Sequence, residues 1–151
     1  CEWAKVRLLT EAEWEFAARG GLSQNNFPWG NSLKKDGKLQ ANIWPEETFP
    51  LNQEFSSTYG TMPVDSFEPN LFGLFNMTGN VWARAADKFT TLHSPRPVRN
   101  PIGPINGVEF VAKGGSFLCH NSYCVRFRTS SRQSIKSDMT SGNIGFRVAK
   151  A

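Results

Sequence analysis

The sequence predicts an α+β domain of short antiparallel strands, few helices and long loops. Three observations carry that expectation. One short segment has the start and stop signals of a helix, and two segments near the C-terminal end alternate or run apolar in the manner of strands. The remainder is punctuated by 9 prolines and 13 glycines, a density that argues against a helix bundle. A chain of 151 residues is about one domain, 1–151, with volume enough for a core. Three cysteines are too few for a disulfide scaffold.

The helix is expected over residues 10 to 19. Thr10-Glu11-Ala12-Glu13 is a capping box, in which Thr10 accepts from the Glu13 amide and Glu13 reaches back to the Thr10 amide. Trp14, Ala17 and Ala18 follow at helical spacing. Glu11 and Glu13 in the first turn and Arg19 in the last complement the helix dipole, and Gly20-Gly21 supplies the stop. Phe27-Pro28-Trp29-Gly30-Asn31 reads as a turn with buried aromatics. Residues 31 to 70 hold turn formers and little periodicity, and a loop that long inside one domain calls for metal or substrate binding to explain it. Leu71 to Trp82 is apolar but interrupted by Gly73, Gly79 and Asn80, and residues 90 to 107 form another Pro/Asn-rich loop. Phe110-Val111-Ala112 leads into Gly114-Gly115. Val125-Arg126-Phe127-Arg128-Thr129 alternates with period two, as a half-buried strand does, and Asn143 to Val148 reads as a closing strand.

Charge and hydropathy exclude two classes of partner. The net charge is +4, but the basic residues are scattered rather than clustered into a nucleic-acid footprint. No apolar run approaches the ~18 residues of a membrane span. The chain opens Cys1-Glu2-Trp3 without an initiator Met, so the absence of a targeting signal carries no information.

The most informative stretch is Lys113 to Arg128, which holds Cys119 and Cys124 after a Gly114-Gly115-Ser116 turn. Two thiols so close are a disulfide or a soft-metal site, unless they are simply free. On a regular strand their odd spacing would send them to opposite faces, so His120-Asn121-Ser122-Tyr123 must bend if the sulfurs meet. Zinc wants four ligands, and Cys1, His120 and His93 offer no recognisable zinc spacing. Copper(I) is soft and accepts two thiolates.

Taken together, several segments resemble the formylglycine-generating enzyme family, also called sulfatase-modifying factors. They are Arg7 to Glu15, Phe27 to Gly30, Ala41 to Trp44, Pro63 to Phe67, Gly73 to Met77, Gly79 to Trp82, the Cys119 segment, and Asn143 to Arg147. The Thr-Glu-Ala-Glu-Trp, Gly-Asn-Val-Trp and Gly-Phe-Arg elements mark a wide superfamily, whereas Cys119-His120-Asn121-Ser122-Tyr123-Cys124 is narrower and points to its oxidase branch. The resemblance implies a loop-rich variant of the C-type lectin fold and, since the family's catalytic domain is longer, the C-terminal part of one.

It also implies an activity. Cys119 and Cys124 would be copper ligands, a substrate cysteine would join them, and molecular oxygen would be the oxidant. A hydrogen leaves the substrate's β-carbon, and hydrolysis of a thioaldehyde leaves formylglycine in a sulfatase or other Cys-x-Pro-x-Arg polypeptide. Position by position, Ser116, Tyr123 and Trp82 match active-site residues, and His120, Arg132 and Asn143 match pocket positions that would bind substrate. Each has an ordinary alternative: a turn serine, core aromatics, a hydrogen-bonded histidine, a solvated arginine.

Calcium is implied on two loops, at Asn42 and the Ile43 carbonyl, and at Asn76 with the Gly79 and Val81 carbonyls. Both lack their anionic ligand, because Ser56 and Ala83 stand at the acidic positions, with Thr58 at a further carbonyl position. Neutral oxygens alone weaken the affinity, although Glu46, Glu47 or Glu54 could compensate at the first site. The family's Trp-Glu-Trp reads Trp82-Ala83-Arg84. Ala17, Thr129 and Val148 replace structural cysteines of animal relatives, and Cys1 matches a fourth without its partner. That pattern suits a bacterial, reducing compartment, the cytoplasm rather than a secretory lumen. The reading is a monomeric copper-dependent oxidase. The alternative is a non-catalytic lectin-like binding module or an inactive family member. An iron-dependent sulfoxide synthase needs a histidine triad, and the chain has 2 histidines.

Overall fold

The computed structural model describes residues 2–45 and 60–150. One helix, α1 (Glu11–Arg19), packs on a four-stranded sheet of order β6-β5-β4-β7, formed by Gln133–Lys136, Glu109–Lys113, Trp82–Lys88 and Ile144–Phe146. The β4–β5 and β5–β6 pairs are antiparallel, and β4–β7 is parallel. Two small antiparallel sheets complete the fold. One pairs β1 (Val6–Leu8) with β8 (Val148–Lys150), and the other pairs β2 (Lys34–Lys35) with β3 (Lys38–Leu39). The α+β expectation holds, and among the described residues no helix is long and apolar enough to cross a membrane.

Helix α1 forms where its local signals place it. Thr10 caps it through a reciprocal box, and Gly20 ends it in the left-handed conformation at φ 57°. Glu13 does double duty, accepting from the Thr10 amide at 2.9 Å and from both Arg7 terminal nitrogens at 2.7 and 2.8 Å. The Arg7 guanidinium, first, and the Thr10 amide hold this carboxyl at about 2. An acid whose folded pKa is depressed stabilises above its unfolded value, about 4.3, and loses that contribution as pH falls toward 2. The urea midpoint should therefore fall across this window, and fall less steeply in Glu13→Gln; parallel slopes for the two proteins would remove Glu13 from the acid transition.

The sheet separates two cores. On one side Trp14 and Ala18 of α1 pack with Met77 and Ala83. On the other, Phe27, Ala41, Ile43, Trp82, Ala112, Phe127 and Ile135 pack with Cys119 and Cys124. Phe27 pairs with Gly30 across the expected aromatic turn and stacks on Trp29 and Phe127, with centroids 5.2 and 5.9 Å apart.

Two strand expectations are corrected. Val125–Phe127 is a 3-10 helix, closed by the Arg128 amide on the Val125 carbonyl, not a strand. Only Phe127 and Thr129 of that run are buried, and the tight turn after Cys119 sets this geometry. The closing segment is two strands that belong to different sheets, β7 beside β4 and β8 beside β1. The expected apolar run 71–82 is mostly turns, ordered by Asn70, whose side chain accepts from the Phe72 and Leu74 amides.

Candidate active site at the paired thiols

The thiol segment hangs from three backbone hydrogen bonds. After β5, Gly114 accepts from the Gly79 amide at 2.8 Å, the Phe117 amide donates to Asn80 at 2.9 Å, and the Trp44 amide donates to the Cys119 carbonyl at 2.9 Å. The Asn80 amide donates to the Asn42 carbonyl at 2.7 Å, which ties the two partner loops together. Gly79 has to be glycine: its φ is +76°, and a Cβ would lie 2.5 Å from the Asn42 carbonyl oxygen. Gly115 is equally constrained, at φ +72° and with a Cβ placed 2.7 Å from that of Phe127.

The residues between the cysteines bend as their odd spacing demands. The Cys119 amide donates to the Ser116 carbonyl at 2.9 Å and the Cys124 amide to the His120 carbonyl at 2.8 Å. The His120 side chain lies inside this bend. Its Nδ1 accepts from the Ser122 amide at 3.1 Å and lies 2.7 Å from the Ser122 hydroxyl, so Nδ1 is the unprotonated nitrogen. Both cysteines are free thiols, each 4% exposed. Their sulfurs hydrogen-bond to one another, which pushes Cys119 up and draws Cys124 down to about 6, with the Arg126 amide and charge assisting. The shared interaction favours ionisation at Cys124 over Cys119. Such a pair is a nucleophile or a soft-metal chelate.

Four predicted site residues lie around the thiol pair, directly or through a neighbour. The Ser116 amide and hydroxyl hydrogen-bond to the Cys119 sulfur, and the same hydroxyl accepts from Asn143 Nδ2 at 3.2 Å. Asn143 is fixed in turn by the Ser141 hydroxyl at 2.6 Å. The Tyr123 phenol donates to the Leu118 carbonyl and is half exposed. Burial first, then the charges of Cys119 and Cys124, raise its pKa. Trp82 is buried in the same packed cluster as the two cysteines.

Two predicted substrate residues are placed otherwise. Arg132 lies at the start of α1, on the far side of the sheet. It donates to Glu11 at 2.7 Å and the Thr90 carbonyl at 2.6 Å, with His93 Nε2 also at 2.6 Å. His120 is 4% exposed and serves the bend. Sequence reasoning gave no role to Asn80 or Lys113. Asn80, at φ +62°, also accepts from the Met62 amide and the Asn42 side chain. Lys113, fully buried, reaches Glu15 at 3.1 Å and Glu11 at 3.7 Å, directly before the Gly-Gly turn. The Gly79-Asn80 pair, both prone to left-handed backbone, was the available signal for the first; the second had none.

The second calcium position is poor in charge, and the first is only partly described. The Asn42 side-chain nitrogen donates to the Gly60 carbonyl and to Asn80, and Ser56, Thr58, Glu46, Glu47 and Glu54 lie outside the described residues, as does Cys1. At the second position Asn76 Oδ1 is buried without a hydrogen-bond partner, as a cation ligand could be. Its main-chain oxygen, however, accepts from the Arg147 guanidinium at 2.8 Å. A hollow of about 390 Å³ there is lined by Asn76, Val81, Ala83 and Arg147 and contains no carboxylate. One spare amide oxygen beside a fixed guanidinium does not fit calcium. Among the described residues no group of three His, Cys, Asp or Glu side chains could hold a metal.

Fold and site define an α+β domain of the C-type lectin-like class with a buried pair of reduced cysteines. The chain belongs to the sulfatase-modifying factor family, since the model of the sulfatase-modifying factor enzyme 1-like domain matches residues 1–151. It is 47% identical over 150 residues to the formylglycine-generating enzyme of Mus musculus, covering 99% of this chain and 40% of the mouse protein. It is 33% identical over 153 residues to inactive C-alpha-formylglycine-generating enzyme 2 of Mus musculus, covering 100% of this chain and 45% of that one. Among solved structures, Treponema denticola variable protein 1 matches with a TM-score of 0.71 at 28% identity, over 95% of this chain and 46% of that one. The chain thus spans less than half the length of each of these relatives.

Proposed function

We propose that the protein is a copper-dependent oxidase that converts a cysteine of a sulfatase-type polypeptide to formylglycine. The observation that carries this reading is the hydrogen-bonded, water-excluded pair Cys119 and Cys124, in a family whose relatives include formylglycine-generating enzymes. The donor set suits copper(I), because two thiolates satisfy a soft ion of low coordination number. Held by these two residues, copper(I) supplies the redox chemistry with molecular oxygen. The residues around it do the rest. The Ser116 hydroxyl, set by Asn143, holds a hydrogen bond on the Cys119 sulfur, Trp82 and Phe127 exclude water, and Tyr123 stands at the rim. In balance, the substrate cysteine loses two hydrogens to become a thioaldehyde, which water hydrolyses to aldehyde and hydrogen sulfide. Oxygen goes to water, with two further electrons from an external thiol. A reducing, cytoplasm-like compartment and a monomer suit the thiol pair and the Thr129 hydroxyl, which donates to the Asn25 carbonyl where animal relatives place a cysteine.

The test is a Cys-x-Pro-x-Arg peptide incubated with copper(I)-loaded protein, air and a thiol. The expected product has lost hydrogen sulfide and gained one oxygen, and it reacts with an aminooxy probe. Intact reduced protein that takes up no copper(I) and leaves the peptide unchanged would make it a non-catalytic lectin-like member, as the similarity to an inactive relative allows.

A further inference from the structure

Strand alternation sorts β4 into two faces. Ala83 packs with α1, and Asp87 accepts from the Glu11 amide at 2.7 Å, so these residues face the helix. Trp82, Arg84 and Lys88 face the thiol side. Register sets Phe146 of β7 beside Arg84, and Phe110 of β5 beside Lys88. The Arg84 guanidinium lies 4.0 Å from the centroid of the Phe110 ring and the Lys88 ammonium 3.6 Å from it. Phe110 itself packs against the cysteine cluster.

Two cations on one ring repel each other, and among the described residues neither has a carboxylate partner, whereas Arg7, Arg19, Lys113 and Arg132 all do. The Nε of Arg84 is buried with no hydrogen-bond partner. An anion bound at the outer nitrogens of the two cations would relieve that repulsion. Arg84 lies two residues beyond Trp82, roughly 7 Å along the strand, a span that an extended peptide covers in two residues.

We propose that Arg84 and Lys88, seated on Phe110 with the exposed Phe146 as an apolar rim, form a subsite for a carboxylate side chain of the polypeptide substrate. This rests on the reading of the thiol pair as a polypeptide-modifying centre. The arginine of a Cys-x-Pro-x-Arg target follows the cysteine and is repelled by this subsite, so the acidic residue precedes the cysteine, within about five residues given the rise per residue.

The test uses peptides with Glu or Gln two to five positions before the reacting position. Affinity is read by fluorescence anisotropy on peptides whose cysteine is serine, and conversion is read on the cysteine forms. The best-placed Glu should tighten binding about tenfold at low salt, the scale of one charge-assisted contact. It should lower KM with kcat unchanged, and the gain should vanish in Arg84→Gln and in Lys88→Gln. Should Arg84→Gln fail to fold, Lys88→Glu decides, because its carboxylate would pair with Arg84 and should abolish the preference for Glu over Gln. Conversion with equal affinity for Glu and Gln peptides at every position overturns the subsite and leaves the oxidase reading standing. Absence of conversion and of binding for every peptide overturns both.

Discussion

Copper(I) affinity should collapse in Cys119→Ser and, separately, in Cys124→Ser, by more than about a thousandfold, because a hard hydroxyl replaces one of two soft donors. Peptide conversion should fall below detection in both. Competition with a chromophoric copper(I) chelator measures the first effect, and mass spectrometry of the peptide the second. The thermal midpoint is the control. Serine is close in size to cysteine, and the Cys119 and Cys124 amides keep their bonds to Ser116 and His120, so the fold should survive. A variant that keeps near-native copper affinity would show that one thiol suffices, and the paired-ligand reading would be lost. Ser116→Ala is the graded companion. It removes the hydroxyl between Cys119 and Asn143 and should slow conversion while copper affinity changes far less.

Lys113→Ala should be among the most destabilising single changes in the described chain. The side chain is fully buried, 5.5 Å over the Trp14 ring, and sits between Glu15 and Glu11. Removing one member of a buried ion network leaves partly desolvated carboxylates behind and costs about 3–5 kcal/mol. Glu15 and Glu11 keep Arg19 and Arg132, so the low end of that range is expected, with the urea midpoint reporting it. Lys113→Met with Glu15→Gln restores the volume, removes one stranded charge and should recover most of the loss. If Lys113→Ala unfolds at the wild-type midpoint, the buried network carries no stability. The position also matters for chemistry, because Lys113 fixes the end of β5 from which the Gly114-Gly115 turn delivers Ser116.

These two sites differ in how far they could be read from the residues. Helix α1 was legible to its caps, since every signal lies within a few positions. The bend between the cysteines was legible too, because an odd spacing on extended chain leaves no other way to bring two sulfurs together. Val125 to Thr129 misled because its alternation is real while its backbone is set by the turn before it. Arg132 misled for a different reason: its carboxylate partner, Glu11, lies 121 positions away, and nothing local to Arg132 announces it. The same distance hid Lys113, whose partner Glu15 is 98 positions away. Ser116 and Asn143, 27 positions apart, were each nominated by family resemblance, and only the folded chain shows that they touch.

The pairing of β1 with β8, which sets Val6 opposite Lys150, brings the opening and closing strands of this segment side by side. A short insertion within the exposed stretch 95–100 would leave both that seam and the thiol bend untouched. Such an insertion would offer a fluorophore or a surface tether a point of attachment away from both cysteines.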